Sequence, residues 1–258
     1  GQLLFRTGTP GRFRPAPTVS TDVAMAIHGM VARVTVTQAF TNPGGGWREG
    51  VYVFPLPGDA AVDHLRMRIG KRVIEGVIQE RAQARATYER AKAAGRKASL
   101  VSQERPNIFT NAVANIGPGE TVRVAIEYQQ SLRPDGGRFS IRFPMVVAPR
   151  FIPGRPLAAD ERLGASGGSG WAFATDQVPD APRITPPVVP PGGGAVNPVR
   201  LTVALDAGFP LAGVESRYHR AEITRPDAER ARVTVEAVPA DRDFELVWTP
   251  RAGQAPRA

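Results

Sequence analysis

Gly76-Val-Ile-Gln-Glu80 opens the stretch whose reading decides the fold. It runs through an Ala/Arg-rich segment to Gly95-Arg96-Lys97, then Glu104-Arg105-Pro106-Asn107-Ile108-Phe109-Thr110-Asn111, and reaches Tyr128 by way of Ile116-Gly117-Pro118-Gly119-Glu120. Residues 79–94 contain no proline, no glycine and a single β-branched residue, Thr87, so they predict a helix. Ala84, Tyr88 and Ala91 recur at i, i+4 and i+7, and a narrow face of that kind lets a helix lie close on a sheet. Arg85 with Glu89 and Glu89 with Lys92 ladder a solvated side. Gly95 supplies a left-handed cap, and Arg96 and Lys97 follow where the helix end is negative.

Outward from this helix the chain reads as β-strand. Upstream, Val23, Met25 and Ile27 alternate, Gly29 breaks the run, and Val34 and Val36 align on one side of a second run, which together predict a hairpin. Asn42-Pro-Gly-Gly-Gly46 is loop by composition. Val51-Tyr-Val-Phe54 alternates until Pro55, which lacks an amide donor, and Leu65, Met67 and Ile69 alternate up to the turn Gly70-Lys71-Arg72. Five or six strands before any helix favour an all-β layer architecture. Downstream, Val122, Val124, Ile126 and Tyr128 share one face, as do Phe139, Ile141 and Phe143. The turn chemistry of Gly117-Pro-Gly-Glu120 and Pro134-Asp-Gly-Gly137 joins these runs into an expected meander. A Pro- and Gly-bearing lead-in carries only a short strand at Leu3-Leu4-Phe5.

The composition changes over residues 149–198, with glycines at 164–170 and repeated prolines at 179–191, so a linker or long surface loop is expected. Trp171 and Phe173 are its apolar exceptions and are expected to dock on the folded part. Strands resume at 199–205, 231–238 and 243–248. The expected class is therefore mainly β: an antiparallel β-sandwich with one inserted amphipathic helix at about 79–94 and a smaller C-terminal β segment packed on it. The expected divisions are a sandwich at 1–154, a Pro/Gly-rich linker or surface loop at 155–198, and a C-terminal β segment at 199–258.

The 258 residues contain no cysteine, which excludes disulfides and thiolate chemistry. No apolar run approaches the ~20 residues of a membrane helix. The net charge of +9 invites a polyanion partner. Yet the arginines are spread along the chain without interleaved aromatics, so nucleic acid is not expected and an acidic polysaccharide is the alternative partner. His28, His64 and His219 are scattered, Ser166-Gly-Gly-Ser-Gly170 lacks the strand-to-helix context of a nucleophile elbow, and no catalytic, cofactor or metal site is expected. Glu80, Tyr88 or Glu89 as an acid-base group is disfavoured because the sequence places no partner for it, and a transfer activity around Glu80 and Glu104 is the enzymatic alternative. Glu104, Arg105, Asn107 and Asn111 are expected to form a structural polar network between helix and strand. Asp241 and Asp243 are expected to cap a turn and bond backbone amides.

The ordered series Tyr52-Val-Phe-Pro-Leu-Pro57, Ile74-Glu-Gly-Val-Ile78, Glu80, Ala84, Tyr88, Ala91, Gly95, Phe109, Asn115-Ile116, Pro118-Gly-Glu120, Tyr128 and Pro144 resembles the VIT domain of vault proteins and inter-alpha-trypsin inhibitor heavy chains, over residues 20–154. Residues 92–100 and 137–145 resemble a bacterial branch, the marine proteobacterial sortase target proteins. Residues 239–248 are similar to the strand that leads into a von Willebrand A domain there. The resemblance implies a non-enzymatic cell-surface adhesion or scaffold module that contacts protein partners and supports a following A domain. It also implies an exported protein, periplasmic or surface-attached. The chain carries no Asp-x-Ser-x-Ser motif, sorting signal or signal peptide, so those parts are expected outside it.

Overall fold

The computed structural model describes residues 1–8, 13–57, 60–76, 99–105, 108–145, 153–158, 172–179, 181–184 and 198–251. The helix expected at 79–94 lies outside the described residues, as does Trp171.

The first strands in chain order are β1 (Gln2–Arg6), β2 (Phe13–Pro15), β3 (Thr18–His28), β4 (Val31–Thr41), β5 (Arg48–Pro55), β6 (Ala60–Ile69) and β7 (Arg72–Gly76). They are followed by β8 (Ser99–Arg105), β9 (Ile108–Ile116), β10 (Thr121–Ser131) and β11 (Phe139–Phe143). One helical turn, α1 (Ala181–Ile184), precedes β12 (Pro198–Asp206), β13 (Leu211–Ser216), β14 (Glu222–Thr224), β15 (Arg230–Pro239) and β16 (Phe244–Pro250). The strands form a five-stranded sheet in the order β2-β1-β5-β9-β8 and an eight-stranded sheet in the order β14-β15-β12-β3-β4-β10-β6-β7. A three-stranded sheet, β11-β16-β13, completes the fold.

The alternation read in the sequence sets which side chains meet. On β10, Val122, Val124, Ile126 and Tyr128 are buried while Arg123 between them is exposed. One continuous apolar core joins all three sheets. Phe40 of β4 meets Tyr52 of β5 edge-on at 5.8 Å between ring centroids, Tyr52 stacks on Phe54 at 6.2 Å, and Phe54 reaches Tyr128 of β10 at 6.5 Å. This aromatic series stitches the five-stranded sheet to the eight-stranded one, each pair adding to the area it buries. In the three-stranded sheet Phe139 stacks on Trp248 at 5.9 Å and tilts against Phe209 at 5.3 Å.

The expected meander does not form. The consecutive strands β9, β10 and β11 join three different sheets. Turn residues fix where the chain reverses, but they do not choose the neighbour that accepts its backbone ladder. The C-terminal strands are built into this arrangement. β12 runs parallel to β3, from Val199 opposite Thr21 to Asp206 opposite His28, and β16 pairs with β11. β8 has no counterpart in the sequence reading, because Ser99-Leu-Val-Ser-Gln-Glu-Arg105 lacks alternation, although its partner β9 follows directly and Arg105 pairs with Ile108. Phe173 also departs from expectation. It is 69% exposed, while the flanking Ala172 and Ala174 are buried.

One polar cluster sits inside the core. The Tyr52 hydroxyl donates to Gln38 Oε1 at 2.6 Å, and Gln38 Nε2 donates to Thr21 Oγ1 at 2.8 Å, so β5, β4 and β3 are linked through buried groups. Burial holds the Tyr52 phenol neutral and pushes its pKa well above the ordinary value near 10. An unfolded tyrosine ionises near pH 10, so above that pH the unfolded state sheds a proton that the folded state keeps, and stability falls as pH rises. Tyr52→Phe is expected to cost about 1–3 kcal/mol at neutral pH by leaving Gln38 Oε1 without its donor. It should also flatten the decline in stability above pH 10, as urea melts across that range would record; an unchanged melt at pH 7 would rule out the hydrogen bond as a stabilising contact.

Candidate interaction surface

The turn after β9 and the loop after β4 are locked together by one side chain. Asn42 is buried, and its Nδ2 donates to the carbonyls of Gly46, Ile116 and Gly117 at 2.9, 3.2 and 3.0 Å. Two N–H bonds thus serve three acceptors. Its Oδ1 accepts from Gly44 N at 3.1 Å. The backbone completes the lock, with Asn42 N donating to Glu120 O and Gly119 N to Asn42 O, while the Glu120 carboxylate accepts from Gly117 N at 2.7 Å. Gly119 has φ +68°, which explains the glycine in Pro118-Gly119-Glu120. The sequence reading saw a glycine loop here and missed Asn42. The available signal was an Asn opening a Pro-Gly turn, a residue type that bonds its own backbone two positions on. The lock holds Trp47 at the tip of β5, 67% exposed.

The expected site residues are distributed as follows. Glu80, Tyr88 and Asn107 lie outside the described residues. Glu104 and Arg105 belong to β8 rather than to a helix–strand connection. Asn111 corrects the expected network. It sits on β9 opposite Tyr52, is 2% exposed, and neither amide atom has a hydrogen-bond partner. Strand parity turns it into the core alongside Val113, away from the loop whose backbone it was expected to serve. Glu80, named with Glu104 for a transfer activity, lies outside the described residues.

Asp243 joins two strands. Its Oδ1 accepts from Met145 N at 3.1 Å and its Oδ2 takes Arg142 Nε at 2.8 Å, tying the start of β16 to the end of β11. Asp241 instead forms a two-point pair with the adjacent Arg242, at 3.0 Å for each contact, and that hydrogen bonding lowers its pKa. With different partners, the two carboxylates do not converge. Among the described residues no group of three His, Asp or Glu side chains is placed to hold a metal ion. His219 packs its ring on Phe244, with Nε2 3.3 Å from Arg242 O.

The outer face of the eight-stranded sheet is largely polar. Several of its arginines face carboxylates: Arg66 with Glu75 at 2.9 Å, Arg200 with Glu236 at 3.4 Å and Arg33 with Asp63 at 3.8 Å. Arg68 and Arg123 are directly opposite one another on neighbouring strands. No described residue forms an ion pair or hydrogen bond with either.

A layered β-sandwich with a solvated outer face, and with no clustered catalytic side chains among its described residues, is the class of protein that the structure defines. Residues 18–128 match the VIT family, the Vault protein inter-alpha-trypsin domain. That span begins with β3 and ends within β10, so β12 completes the domain's sheet from outside the matched residues. Over 151 residues the chain is 34% identical to protein mono-ADP-ribosyltransferase PARP4 of Mus musculus, covering 58% of this chain and 7% of that protein. Over 140 residues it is 29% identical to von Willebrand factor A domain-containing protein 5A of Homo sapiens, covering 53% of this chain and 18% of the relative. The chain therefore matches only a small part of these relatives' length. A Legionella pneumophila protein described as nutrient-binding aligns over 93% of this chain and 70% of its own, at a TM-score of 0.44 and 10% identity, which is too distant to carry an argument.

Two substitutions separate the structural roles. Asn42→Ala removes four side-chain hydrogen bonds at a buried turn and is expected to lower stability by about 2–4 kcal/mol, read by denaturant unfolding. A loss under half of the lower figure would mean that the backbone bonds alone hold the turn. Asn111→Leu removes two unpartnered buried polar atoms and is expected to be neutral or to stabilise by about 1 kcal/mol in the same assay. A large destabilisation would show that the amide is satisfied in solution.

Proposed function

We propose that the chain is a non-enzymatic protein-interaction module, an adhesion or scaffold unit that supports a following von Willebrand A domain on an exported, surface-attached protein of a bacterial sortase-target type. The observation that carries this reading is the VIT match together with the similarity to a protein whose name records an A domain. The geometry is compatible with it. Inward positions are used mainly for packing, and the polar groups drawn together link strands or serve turns. The other relative is named as a mono-ADP-ribosyltransferase, yet it shares only 7% of its length with this chain, and an activity located elsewhere in that protein fits the present reading.

Binding of an acidic polysaccharide through surface arginines is the second reading considered. It is weakened by the pairing of Arg33, Arg66 and Arg200 with carboxylates, which breaks up a continuous cationic track.

The full-length native protein tests the module reading. Its chain past residue 258 is expected to contain an Asp-x-Ser-x-Ser motif, and cross-linking of the intact protein should join the eight-stranded sheet to the domain bearing that motif. Protease treatment of whole cells should release peptides of this chain before lysis. A full-length chain without the motif, or peptides released only on lysis, would overturn the A-domain and surface parts respectively.

A further inference from the structure

We infer that the cross-strand arginines Arg68 and Arg123 form a docking site for an acidic side chain of a protein partner; the inference rests on the module reading and names the chemistry its surface recognises.

The register builds the site. A single row crosses five strands of the eight-stranded sheet: Val73 of β7, Arg68 of β6, Arg123 of β10, Ala39 of β4 and Ser20 of β3 are successive neighbours. Arg68 and Arg123 are both exposed, and side chains directly opposite one another have Cβ atoms about 5 Å apart. Like charges in that relation repel, so the sheet keeps two guanidinium groups together at a cost. The adjoining row follows the opposite practice, since Arg66 faces Glu75 there and pairs with it at 2.9 Å. One sheet face thus neutralises Arg66 in one row and, in the next, sets together two arginines that pair with no described residue.

Two guanidinium forks side by side offer parallel N–H pairs to one carboxylate, the strong, directional form of such contacts. What flanks them distinguishes the ligand. Val73 is 53% exposed at one end of the row, and Val19, in the bulge beside Ser20, is 54% exposed at the other. Apolar shoulders around a charged centre match a peptide with an acidic residue between apolar ones. A polysaccharide would be better served by a longer cationic track, and that track is interrupted by the paired arginines. The partner is therefore a protein segment carrying Asp or Glu flanked by apolar residues.

The test uses the intact chain and a five-residue capped peptide alternating valine and glutamate, with low-molecular-weight heparin as the competing probe, by calorimetry at low and moderate salt. The peptide is expected to bind, and the double variant R68A/R123A to weaken it about tenfold, whereas the charge-matched control R220A/R232A changes it less than about twofold. Equal losses in both doubles would reduce the effect to overall charge and overturn the site. Heparin binding that depends on Arg68 and Arg123 without peptide binding would overturn the protein partner in favour of a polysaccharide.

A ligand-free measurement keeps the inference open to failure. R123E replaces repulsion by a cross-strand ion pair, so the melting temperature should rise, and it should do so with peptide binding lost; a lowered melting temperature would contradict the placement of the two side chains. Failure of the peptide with A-domain cross-links intact removes only this inference. Absence of both removes the module reading as well.

Discussion

Every other feature of this protein depends on two sheets burying their apolar faces against each other through Phe40, Tyr52, Phe54 and Tyr128. Water is excluded from that layer, so a polar group placed in it must find a partner within the protein or lower the stability of the fold. Gln38, Tyr52 and Thr21 meet the requirement by bonding one another across three strands. Asn111 lies on the same inward face and does not. The interior thus holds polarity in two forms, as a closed set of bonds in Gln38, Tyr52 and Thr21 and as an unpartnered amide in Asn111 that lowers stability.

The outer face of the eight-stranded sheet is free of that requirement, and its charges are arranged strand by strand. Because register fixes which residues stand opposite, cross-strand pairing makes Arg66 and Glu75 a neutral couple and Arg68 and Arg123 a cationic one within two residues of each other along β6. At the end of the sandwich, the Asn42 lock presents Trp47 on a loop rich in glycine that would otherwise have little to order it. Both are surface devices set by buried geometry.

The VIT match ends within β10, yet the domain's large sheet does not. β12, from beyond the Pro- and Gly-rich stretch, lies parallel to β3 over eight paired positions, and β15 and β14 extend the sheet further. The last strand, β16, shares a small sheet with β11 and brings Trp248 against Phe139. The two ends of the chain thus stabilise one another through backbone ladders and a common core. Parallel pairing requires a long connection between its strands, and β3 and β12 are separated by residues 29–197.

The sequence by itself determined the strands with strict alternation, β3, β4, β6, β10, β11, β12 and β15, and the turns at Gly29 and Gly70, both of which take positive φ. It also determined the family, because an ordered series of turn and core residues survives as a linear pattern. Period-two alternation records which residues face the core, a local property that one strand carries alone. Sheet membership was decided only in the tertiary structure: β9, β10 and β11 were read as a meander and went to three sheets, and β8 was not read at all. The same holds for the candidate site. Arg68 and Arg123 are 55 positions apart, so nothing local joins them, and Asn111 was assigned to a polar network because its polarity is local while its neighbours are not. Residue type and spacing fix a side chain's face; the partner strand, and with it every cross-strand contact, is fixed by the competition among all strands for backbone hydrogen bonds.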